Sequence, residues 1–250
     1  MRRILFIVFS FFGTQSLMAQ ASIKDSSIFL TEIKVSFAAQ SPFGDMADRF
    51  GLNSNIGLEV MLKSVSGFTF SAQGSFLFSN KLKETSILDP LRDADGNIVD
   101  LNGDFANVLT MERGYTVTGK IGYLWNVLGP NPNSGFLFQL GGGILQHKIR
   151  IEANRNYLPQ LQGDYIKGYD RLTNGFTFQQ FIGYQYLSNR RLINFYFGVE
   201  AFEALTRNRR VWNFDQVAAD NSLRTDILLG LRAGWILPLY PRPPKAIYFD

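Results

Sequence analysis

The chain has 250 residues, with 25 basic and 21 acidic side chains, one histidine and no cysteine. Without cysteine, these residues cannot form a disulfide framework, a thiolate metal site or a lipidated cysteine. The formal net charge of +4 falls to about +2 if Arg2 and Arg3 leave with a signal peptide, so the charge gives no support to nucleic-acid binding.

Residues 1–21 have the layout of a secretory signal peptide. A basic start, MRR, precedes the apolar run ILFIVFSFF, and Ala19 or Ala21 offers a cleavage site. The run is too short for a transmembrane helix, and no later stretch approaches the roughly 18 consecutive apolar residues that a helical span needs. We therefore expect an exported chain without a membrane-spanning helix.

Downstream of this leader, eight stretches alternate between apolar and polar residues with the period of two that is typical of β-strands. Each is about as long as a tilted strand that crosses an outer membrane. In chain order they are FLTEIKVSFAA, NIGLEVMLK, FTFSAQGSFLF, YTVTGKIGYLW, FLFQLGGGILQHKI, FTFQQFIGYQYL, LINFYFGVEAF and LRTDILLGLRAGWIL.

The connections between these stretches are alternately long and short, and two of the short ones are only SVSG and SNRR. Long extracellular loops that alternate with short periplasmic turns are typical of transmembrane up-and-down barrels. The sequence therefore predicts an all-β fold, an eight-stranded antiparallel up-and-down transmembrane β-barrel over residues 22–237. The even number of strands places both termini in the periplasm, including a proline-rich tail at 238–250.

One face of the predicted strands carries charges of both signs. Exposing Arg or Lys to lipid near the bilayer midplane costs about 2–4 kcal/mol each, so this face is expected to line the lumen. The interior of an eight-stranded barrel is filled by side chains, and buried charges need partners, so we expect a plug of salt bridges. The predicted lumen residues are Glu32, Lys34, Glu59, Lys63, Lys120, Glu200, Arg224, Asp226 and Arg232.

Aromatic residues gather at both ends of the apolar face, as in the two aromatic girdles of membrane barrels. The predicted periplasmic belt is Phe68, Tyr123, Trp125, Phe136, Tyr184, Tyr186, Phe195 and Trp235; the opposite belt is Phe37, Phe76, Phe78, Tyr115, Phe176 and Phe178. A soluble periplasmic barrel or sandwich with its apolar face inside has the same period of two and is the alternative.

The only histidine, His147, lies near the outer end of the fifth stretch. Small barrels can be lipid-modifying enzymes, but such a site needs a nucleophile or acid beside the imidazole, and no nearby serine stands out. We expect a hydrogen-bonded structural histidine and no catalytic residues.

The second long connection contains DADGNIVDLNGD, which places Asp93, Asp95, Asn97 and Asp104 at positions of a calcium-loop template. The template requires Gly where Ile98 stands and Glu at its last position. Tight turns around Gly96 explain the same letters more simply. We expect no metal and no cofactor.

The third long connection concentrates Tyr157, Tyr165, Lys167, Tyr169 and Arg171. Tyr and Arg anchor protein interfaces and stack on sugars, so these are candidate partner-binding residues. A loop that packs on itself and caps the barrel mouth is an equal alternative.

The fourth long connection and the tail hold further candidates for binding. The basic residues Arg207, Arg209 and Arg210 are suited to lipopolysaccharide phosphates or to solvation. The proline-rich tail ends on Tyr248 and Phe249, which are suited to docking on the barrel base or on a periplasmic partner.

Several segments resemble small outer-membrane β-barrel proteins of the Bacteroidota, OmpA/OmpX-like or PorT-like eight-stranded barrels. They are GDMADRFGLNSNIGLE, QHKIRIEANRNYLPQLQGDYIKGYDRLTNG, FIGYQYLSNRRLINFYFGVE and GWILPLY. The resemblance implies the fold and an outer-membrane location; the family has no settled activity. Some small barrels of these bacteria are subunits of the type IX secretion apparatus, but no motif assigns this chain there.

The sequence and the resemblance together predict a non-enzymatic outer-membrane barrel that is a structural or accessory component of envelope assembly or protein secretion. The alternatives are a narrow channel or a ligand-binding or adhesion barrel, and then a lipid-modifying barrel enzyme. Expected partners are outer-membrane lipid, lipopolysaccharide and a periplasmic or outer-membrane protein; nucleic acid is not expected.

Overall fold

The computed structural model describes residues 23–154, 157–190 and 193–240. The strands in these ranges are β1 (Leu30–Gly44), β2 (Asn53–Lys63), β3 (Phe68–Ser79), β4 (Asn107–Trp125), β5 (Gly135–Asn154), β6 (Thr173–Leu187), β7 (Asn194–Asn208) and β8 (Leu223–Leu239). A short helix, α1 (Met46–Arg49), follows β1, and 3₁₀ turns occupy Ser86–Leu91, Pro159–Leu161 and Tyr165–Gly168. Among the described residues, no helix is long and apolar enough to cross a membrane.

Each strand pairs in antiparallel fashion with its neighbour in sequence, and β8 pairs with β1 to close the barrel. The closing ladder runs from Thr31 opposite Leu239 to Gly44 opposite Asp226. Closure leaves no strand edge with unpaired backbone groups. The predicted eight-stranded antiparallel up-and-down barrel is confirmed. The predicted leader, and Tyr248 and Phe249 of the tail, lie outside the described residues.

The two ends of the barrel differ in their connections. Four connections, loops 1–4 (residues 45–52, 80–106, 155–172 and 209–222), lie at one end, here called the loop end. Short turns (64–67, 126–134 and 188–193) lie at the other end, here called the base, where β1 starts and β8 finishes. Loops 2–4 are longer than every turn at the base, so the predicted alternation of long and short connections is present for them. Loop 1 is shorter than predicted, because β1 continues to Gly44, and it is no longer than the turn at 126–134.

Several strands extend further toward the loop end than predicted. On β5 the outward face changes from the apolar Ile144 to the half-buried Lys148, while the inward face changes from the polar Gln139 to the apolar Ile149. The polarity of the two faces thus reverses while the backbone ladder continues to Asn154. A search for one apolar face stops at such a reversal, which is why the sequence prediction ended these strands too early. Phe37, predicted in the belt of this end, lies below it because β1 continues to Gly44.

The outer wall of the barrel is apolar over most of its height. Exposed fractions of 63% for Ile121, 63% for Phe176 and 70% for Leu231 are typical of the outward positions. One polar pair interrupts this wall: the Gln180 side-chain amide donates to Glu203 Oε1 at 3.1 Å. We call this surface the apolar wall.

Inward positions form three layers. The base layer is an apolar cluster of Ile23, Ile28, Leu30, Met61, Leu124, Leu137, Phe181, Leu187, Tyr196 and Ile236. The middle layer is polar and charged. The third layer, at the loop end, is an apolar cluster of Met46, Phe50, Leu77, Ile87, Leu88, Ile98, Leu145, Ile149, Ile151, Leu158, Leu161, Tyr169, Phe202, Ala204 and Leu228.

A pair of opposed glycines makes room for the Phe181 ring of the base layer. Gly183 of β6 faces Gly198 of β7, and the Phe181 ring covers both. A Cβ atom would lie 2.5 Å from Phe181 Cζ at Gly183 and 2.8 Å from it at Gly198. Any side chain at either position would therefore displace the ring.

Residues 23–29, the N-terminal segment, close the base. The Asn133 side chain of the turn at 126–134 donates to Ile23 O at 3.1 Å and to Ser26 O at 2.9 Å, and it accepts from Ile28 N at 3.0 Å. Lys63 Nζ donates to Ile28 O at 3.1 Å and to Asn133 Oδ1 at 3.0 Å. Lys63, predicted in a lumen salt bridge, instead binds uncharged oxygens of the segment that covers the base.

We expect Asn133→Ala to release the N-terminal segment, because it removes three hydrogen bonds at a buried site, each worth about 1 kcal/mol. Hydrogen exchange should show faster exchange of the Ile28 amide with the barrel ladder unchanged. Asn189→Ala, at an exposed turn of the base, is the matched control. Equal protection of Ile28 in both variants would contradict this assignment.

Candidate functional site

The strongest ion pair of the middle layer joins Glu200 of β7 to Arg232 of β8. Arg232 donates from Nε to Glu200 Oε2 at 2.6 Å and from Nη2 to Oε1 at 2.9 Å, a bidentate arrangement. Its Nη1 and Nη2 also donate to Ser36 Oγ at 2.5 Å and Asn55 Oδ1 at 2.9 Å. The guanidinium is thus held by side chains of β7, β1 and β2 inside the lumen.

Two further ion pairs of predicted lumen residues complete the layer. Lys120 Nζ lies 3.0 Å from Glu59 Oε2, and Lys34 Nζ lies 3.4 Å from Glu32 Oε2. All four side chains are at most 2% exposed. Lys34 Nζ also lies 4.9 Å from the centre of the Tyr196 ring, within range of a cation–π contact.

Glutamines bridge the ion pairs across the lumen, and the sequence analysis missed this role. Gln185 accepts from Lys34 Nζ and donates to Glu32 Oε1, both at 2.8 Å. Gln139 donates to Glu59 at 3.2 Å, and Gln40 donates to Glu200 at 2.8 Å. These glutamines share the inward parity of the charged residues, which is the signal that could have identified them.

His147 and Asp226 form a buried pair near the loop end. His147 Nε2 lies 2.9 Å from Asp226 Oδ2, and Thr206 Oγ1 donates to the same oxygen at 2.6 Å. The Phe50 ring packs edge-on against the imidazole. Both members of the pair are 1% exposed, so solvent and substrate have no access to them. Asp226 was predicted to pair with a lumen cation; it instead forms a hydrogen bond with His147.

The four loops are joined by a cluster of buried and partly buried charges. Its members are Arg49 of α1, Glu84 of loop 2, Arg171 of loop 3, and Asp215 and Asp220 of loop 4. We call these five residues the cap cluster.

Glu84 is the bridge of the cap cluster. Its Oε1 accepts a hydrogen bond from Arg171 Nε at 3.1 Å, and its Oε2 forms an ion pair with Arg49, whose Nε lies 3.2 Å away. Arg171 also binds Asp215 Oδ2 at 2.5 Å, while Arg49 Nη2 lies 3.8 Å from Asp220 Oδ2. Loops 1, 2, 3 and 4 are therefore linked through three carboxylates and two guanidinium groups.

Hydrogen bonds at the cap cluster favour the charged form of Asp220. Burial raises the pKa of the Asp220 carboxyl, but hydrogen bonds from Ser222 and Arg224 outweigh it and hold the pKa well below its usual value. Burial and the neighbouring Arg224 lower the pKa of the Arg49 guanidinium, against the opposing charge of Glu84. Arg224, predicted in the lumen, lies at its mouth and binds Asp220 Oδ2 at 2.7 Å because β8 begins there.

Two predicted partner-binding residues of loop 3 are buried. Tyr169 is 6% exposed and packs edge-on against Phe214 of loop 4, with ring centroids 5.4 Å apart. Arg171 is 1% exposed and belongs to the cap cluster. The prediction that they form a binding surface is wrong, because loop 3 folds against loop 4 and uses both to close the mouth.

The other candidates of loops 3 and 4 differ in their exposure. Tyr157 and Tyr165 are 54% and 64% exposed, and the exposed Lys167 forms an ion pair with Asp164. Arg210 binds Asp170 through both carboxylate oxygens, whereas Arg207 and Arg209 are exposed. Loop 4 adds exposed apolar side chains that the sequence analysis did not single out: Val211, Trp212 and Val217.

The calcium-like stretch forms two successive turns. Asp93 Oδ1 accepts from the backbone N–H groups of Asp95 and Asn97, and Asp100 Oδ1 accepts from those of Asn102 and Asp104. No group of three or more potential metal ligands occurs in the described part of the chain. The template residues therefore take part in turn geometry.

The residues of the predicted periplasmic belt lie on the outward face at the base. Rings of neighbouring strands are in contact: Phe68 with Tyr123 at 5.4 Å, Phe136 with Tyr184 at 5.6 Å, and Tyr186 with Phe195 at 5.1 Å between centroids. Trp125 and Trp235 are 53% and 56% exposed. The rings encircle the base side of the apolar wall from β3 to β8.

No family model and no curated protein match this chain. Among solved structures, it is similar to Ail, the attachment invasion locus protein of Yersinia pestis, in complex with the heparin analogue sucrose octasulfate (9% identity, 84% of this chain and 99% of that chain covered, TM-score 0.42). It is also similar to Neisserial surface protein A (8%, 83% and 96%, TM-score 0.45) and to the outer membrane protein OprG from Pseudomonas aeruginosa (11%, 86% and 99%, TM-score 0.40). Similarity at this level says nothing about the activity of this chain.

We expect Glu84→Gln to destabilise the cap by about 2–3 kcal/mol, because it leaves two nearly buried guanidinium groups without their shared carboxylate. The partial exposure of Glu84, 19%, keeps the cost below that of a fully buried pair. Proteolysis of loops 2 and 3 should accelerate. Glu152→Gln, which removes the partner of the exposed Arg150, should cost at most about 0.5 kcal/mol. Equal protease resistance of the two variants would refute the bridging role of Glu84.

Because its carboxyl has a lowered pKa in the folded state, Asp220 should make the cap less stable as the pH falls. A carboxyl with a lowered pKa in the folded state stabilises above its ordinary value of about 3.9, and this contribution disappears as pH falls through the folded-state value. Loop protection should therefore hold from pH 7 to about pH 5 and decrease in stronger acid. Asp220→Asn should reduce protection at pH 7 and flatten this acid dependence; an unchanged profile would contradict the assignment.

Proposed function

We propose that this chain is an outer-membrane barrel that does not conduct ions and acts as a structural or accessory component of the cell envelope. The observation that carries the proposal is the filled lumen. The N-terminal segment closes the base, three buried ion pairs fill the middle layer, and an apolar cluster beneath the cap cluster fills the loop end. An interior filled in this way supports a barrel that does not conduct.

The distribution of polarity supports insertion in a bilayer. Lys34, Glu59 and Arg232 are buried inside, while large apolar side chains are exposed on the wall. A barrel in water would have the opposite arrangement. From Phe195 to Leu205, the apolar face of β7 spans about 25 Å at the usual rise and tilt of barrel strands, which matches the apolar band of outer-membrane barrels.

The orientation of the barrel in the membrane is inferred from the difference between its two ends. The belt of aromatic rings and the short turns at the base suit the periplasmic side, and the loop end suits the cell surface. Both ends of the barrel sequence, the start of β1 and the end of β8, would then be periplasmic. The exposed Tyr157, Tyr165 and Lys167 remain the candidate contact residues for a partner at the cell surface.

The alternative functions find less support. A narrow channel needs a continuous aqueous path, and the buried ion pairs of the middle layer argue against one. A lipid-modifying enzyme needs a substrate-accessible base, and His147 is sealed beneath the cap. A role in envelope assembly or in type IX secretion is a prediction that rests on the sequence resemblance alone.

Two lipid-face substitutions in β8 test the insertion. Leu231→Arg, in the apolar wall, should cost about 2–4 kcal/mol, whereas Leu223→Arg, at the loop end of the same strand, should cost about 0–1 kcal/mol. Both leucines are more than half exposed, so loss of packing is similar. Urea unfolding of protein inserted in lipid vesicles gives the two values. Equal small costs, or recovery of the wild-type chain in the aqueous periplasmic fraction, would overturn membrane insertion.

The filled lumen is tested in planar bilayers. The wild-type protein should show heat-modifiable migration on denaturing gels, as a folded barrel, and no steady unitary conductance. A porin reconstituted in parallel provides the positive control. Steady conductance from the folded wild-type chain would favour the channel alternative.

The accessory role is tested by photo-crosslinking in cells from Tyr165 on loop 3, with the equally exposed Leu101 of loop 2 as the control position. A discrete envelope protein should be captured from Tyr165 and not from Leu101. Absence of a defined product from Tyr165 would remove the basis of this role.

A further inference from the structure

Two cations face each other on the outside of the barrel near the loop end. Arg113 of β4 and Lys148 of β5 are Cα partners in the ladder, and both occupy outward positions. Like charges directly opposite each other destabilise a sheet, so this pair has a cost in the protein alone. Within the described residues, neither side chain has a carboxylate within ion-pair distance. Arg113 donates instead to the carbonyl oxygen of Glu112, at 2.6 Å.

Arg207 of β7 extends this charged surface. It is exposed, points outward, and has no carboxylate partner in the part of the chain that the structure describes. Between Lys148 and Arg207 lie the polar side chains of Gln146 and Asn174, joined by a hydrogen bond of 3.2 Å. We call Arg113, Lys148 and Arg207 the cationic arc.

Along the barrel axis, the cationic arc lies at the upper edge of the apolar wall. Arg113 is the next outward residue after Tyr115 on β4, and Arg207 is the next after Leu205 on β7. Lys148 follows Ile144 on the outward face of β5 after one polar residue. Arg207 thus lies directly beyond the apolar wall of its strand, and Lys148 lies one polar residue beyond it. On β4 the outward apolar residues Met111 and Leu109 follow Arg113, so this cation lies within the upper edge of the wall. All three cations are therefore at the height where the wall ends on neighbouring strands and lipid headgroups would begin.

The arc occupies one side of the barrel. Near the loop end, the outward strand positions of β1, β2, β3 and β8 carry uncharged side chains: Phe43, Ser54, Phe78 and Thr225. Cations that served only as general contacts to lipid headgroups would be expected on all strands, not on one side of the barrel. A localised set of cations fits a localised anion.

We infer that the cationic arc binds the phosphate groups of an outer-leaflet phosphoglycolipid of the lipid A type. The inference rests on the proposed membrane insertion and assigns a lipid partner to that outer wall. A guanidinium presents two parallel donors to a phosphate, and a phosphate between Arg113 and Lys148 removes their repulsion. The same lipid can lay its acyl chains on the apolar wall directly below, which a soluble polyanion cannot do.

The test compares a triple variant, Arg113→Gln with Lys148→Gln and Arg207→Gln, with a control of equal charge change at the same end, Lys81→Gln with Lys83→Gln and Arg92→Gln, all exposed residues of loop 2. Native mass spectrometry in detergent measures binding of bisphosphorylated lipid A and of the same lipid without its phosphates. The wild type and the control should bind the phosphorylated lipid at least tenfold more tightly than the triple variant does. Removal of the phosphates should weaken wild-type binding to the level of the triple variant.

Equal lipid A affinity of the triple variant and the wild type would overturn the inference, as would equal binding of the lipid without phosphates. Tighter binding of a soluble sulfated polysaccharide, lost in the triple variant, would assign the arc to a polyanion outside the membrane and also overturn it.

Heat-modifiable migration of every variant verifies folding. Should the triple variant fail to fold, Lys148→Gln against Lys148→Arg decides: only the arginine variant should retain wild-type lipid affinity. Recovery of wild-type protein as a soluble periplasmic species would refute the proposed function by itself.

Discussion

Closure of the ladder between β1 and β8 is the constraint on which the rest of the structure depends. Once the eight strands form a closed ring, every residue faces either the wall or an interior just wide enough for side chains. Charges such as Glu59 and Arg232 must then find partners inside, because a buried charge without one is costly. Because side chains alternate along each strand, the apolar residues between these charges point outward and are exposed on the wall.

The interior satisfies this constraint through a shared network. Glutamine side chains both donate and accept, so Gln185 can serve Lys34 and Glu32 at once. Apolar layers above and below keep water away from the ion pairs, which strengthens their attraction. The N-terminal segment, held by Asn133, belongs to this arrangement as the floor of the barrel. A filled lumen of this kind is suited to a stable structural component and not to transport.

The reversal of polarity on β5 explains how the fold can present both an apolar wall for lipid chains and the cationic arc for lipid phosphates. Below the reversal, the outer face is apolar and suits lipid; above it, residues such as Ile149 turn inward to pack beneath the cap and Lys148 turns outward. The boundary itself therefore carries cations beside an apolar wall. The same change in environment explains why the cap cluster, at the top of the barrel, is built like the interior of a soluble domain, with Glu84 bridging two guanidinium groups.

The number of strands, the parity of their faces and the aromatic ends of the apolar stretches could be predicted from sequence, because the period of two is a local property that each strand displays by itself. Local pattern could not show that Tyr169 and Arg171 are buried, that His147 binds Asp226, or that residues 23–29 cover the base. Those contacts join residues far apart in the chain, and they exist only once ring closure has set the register and brought four loops over one mouth. The sequence by itself thus determined which residues face inward, and the tertiary structure decided which of them meet.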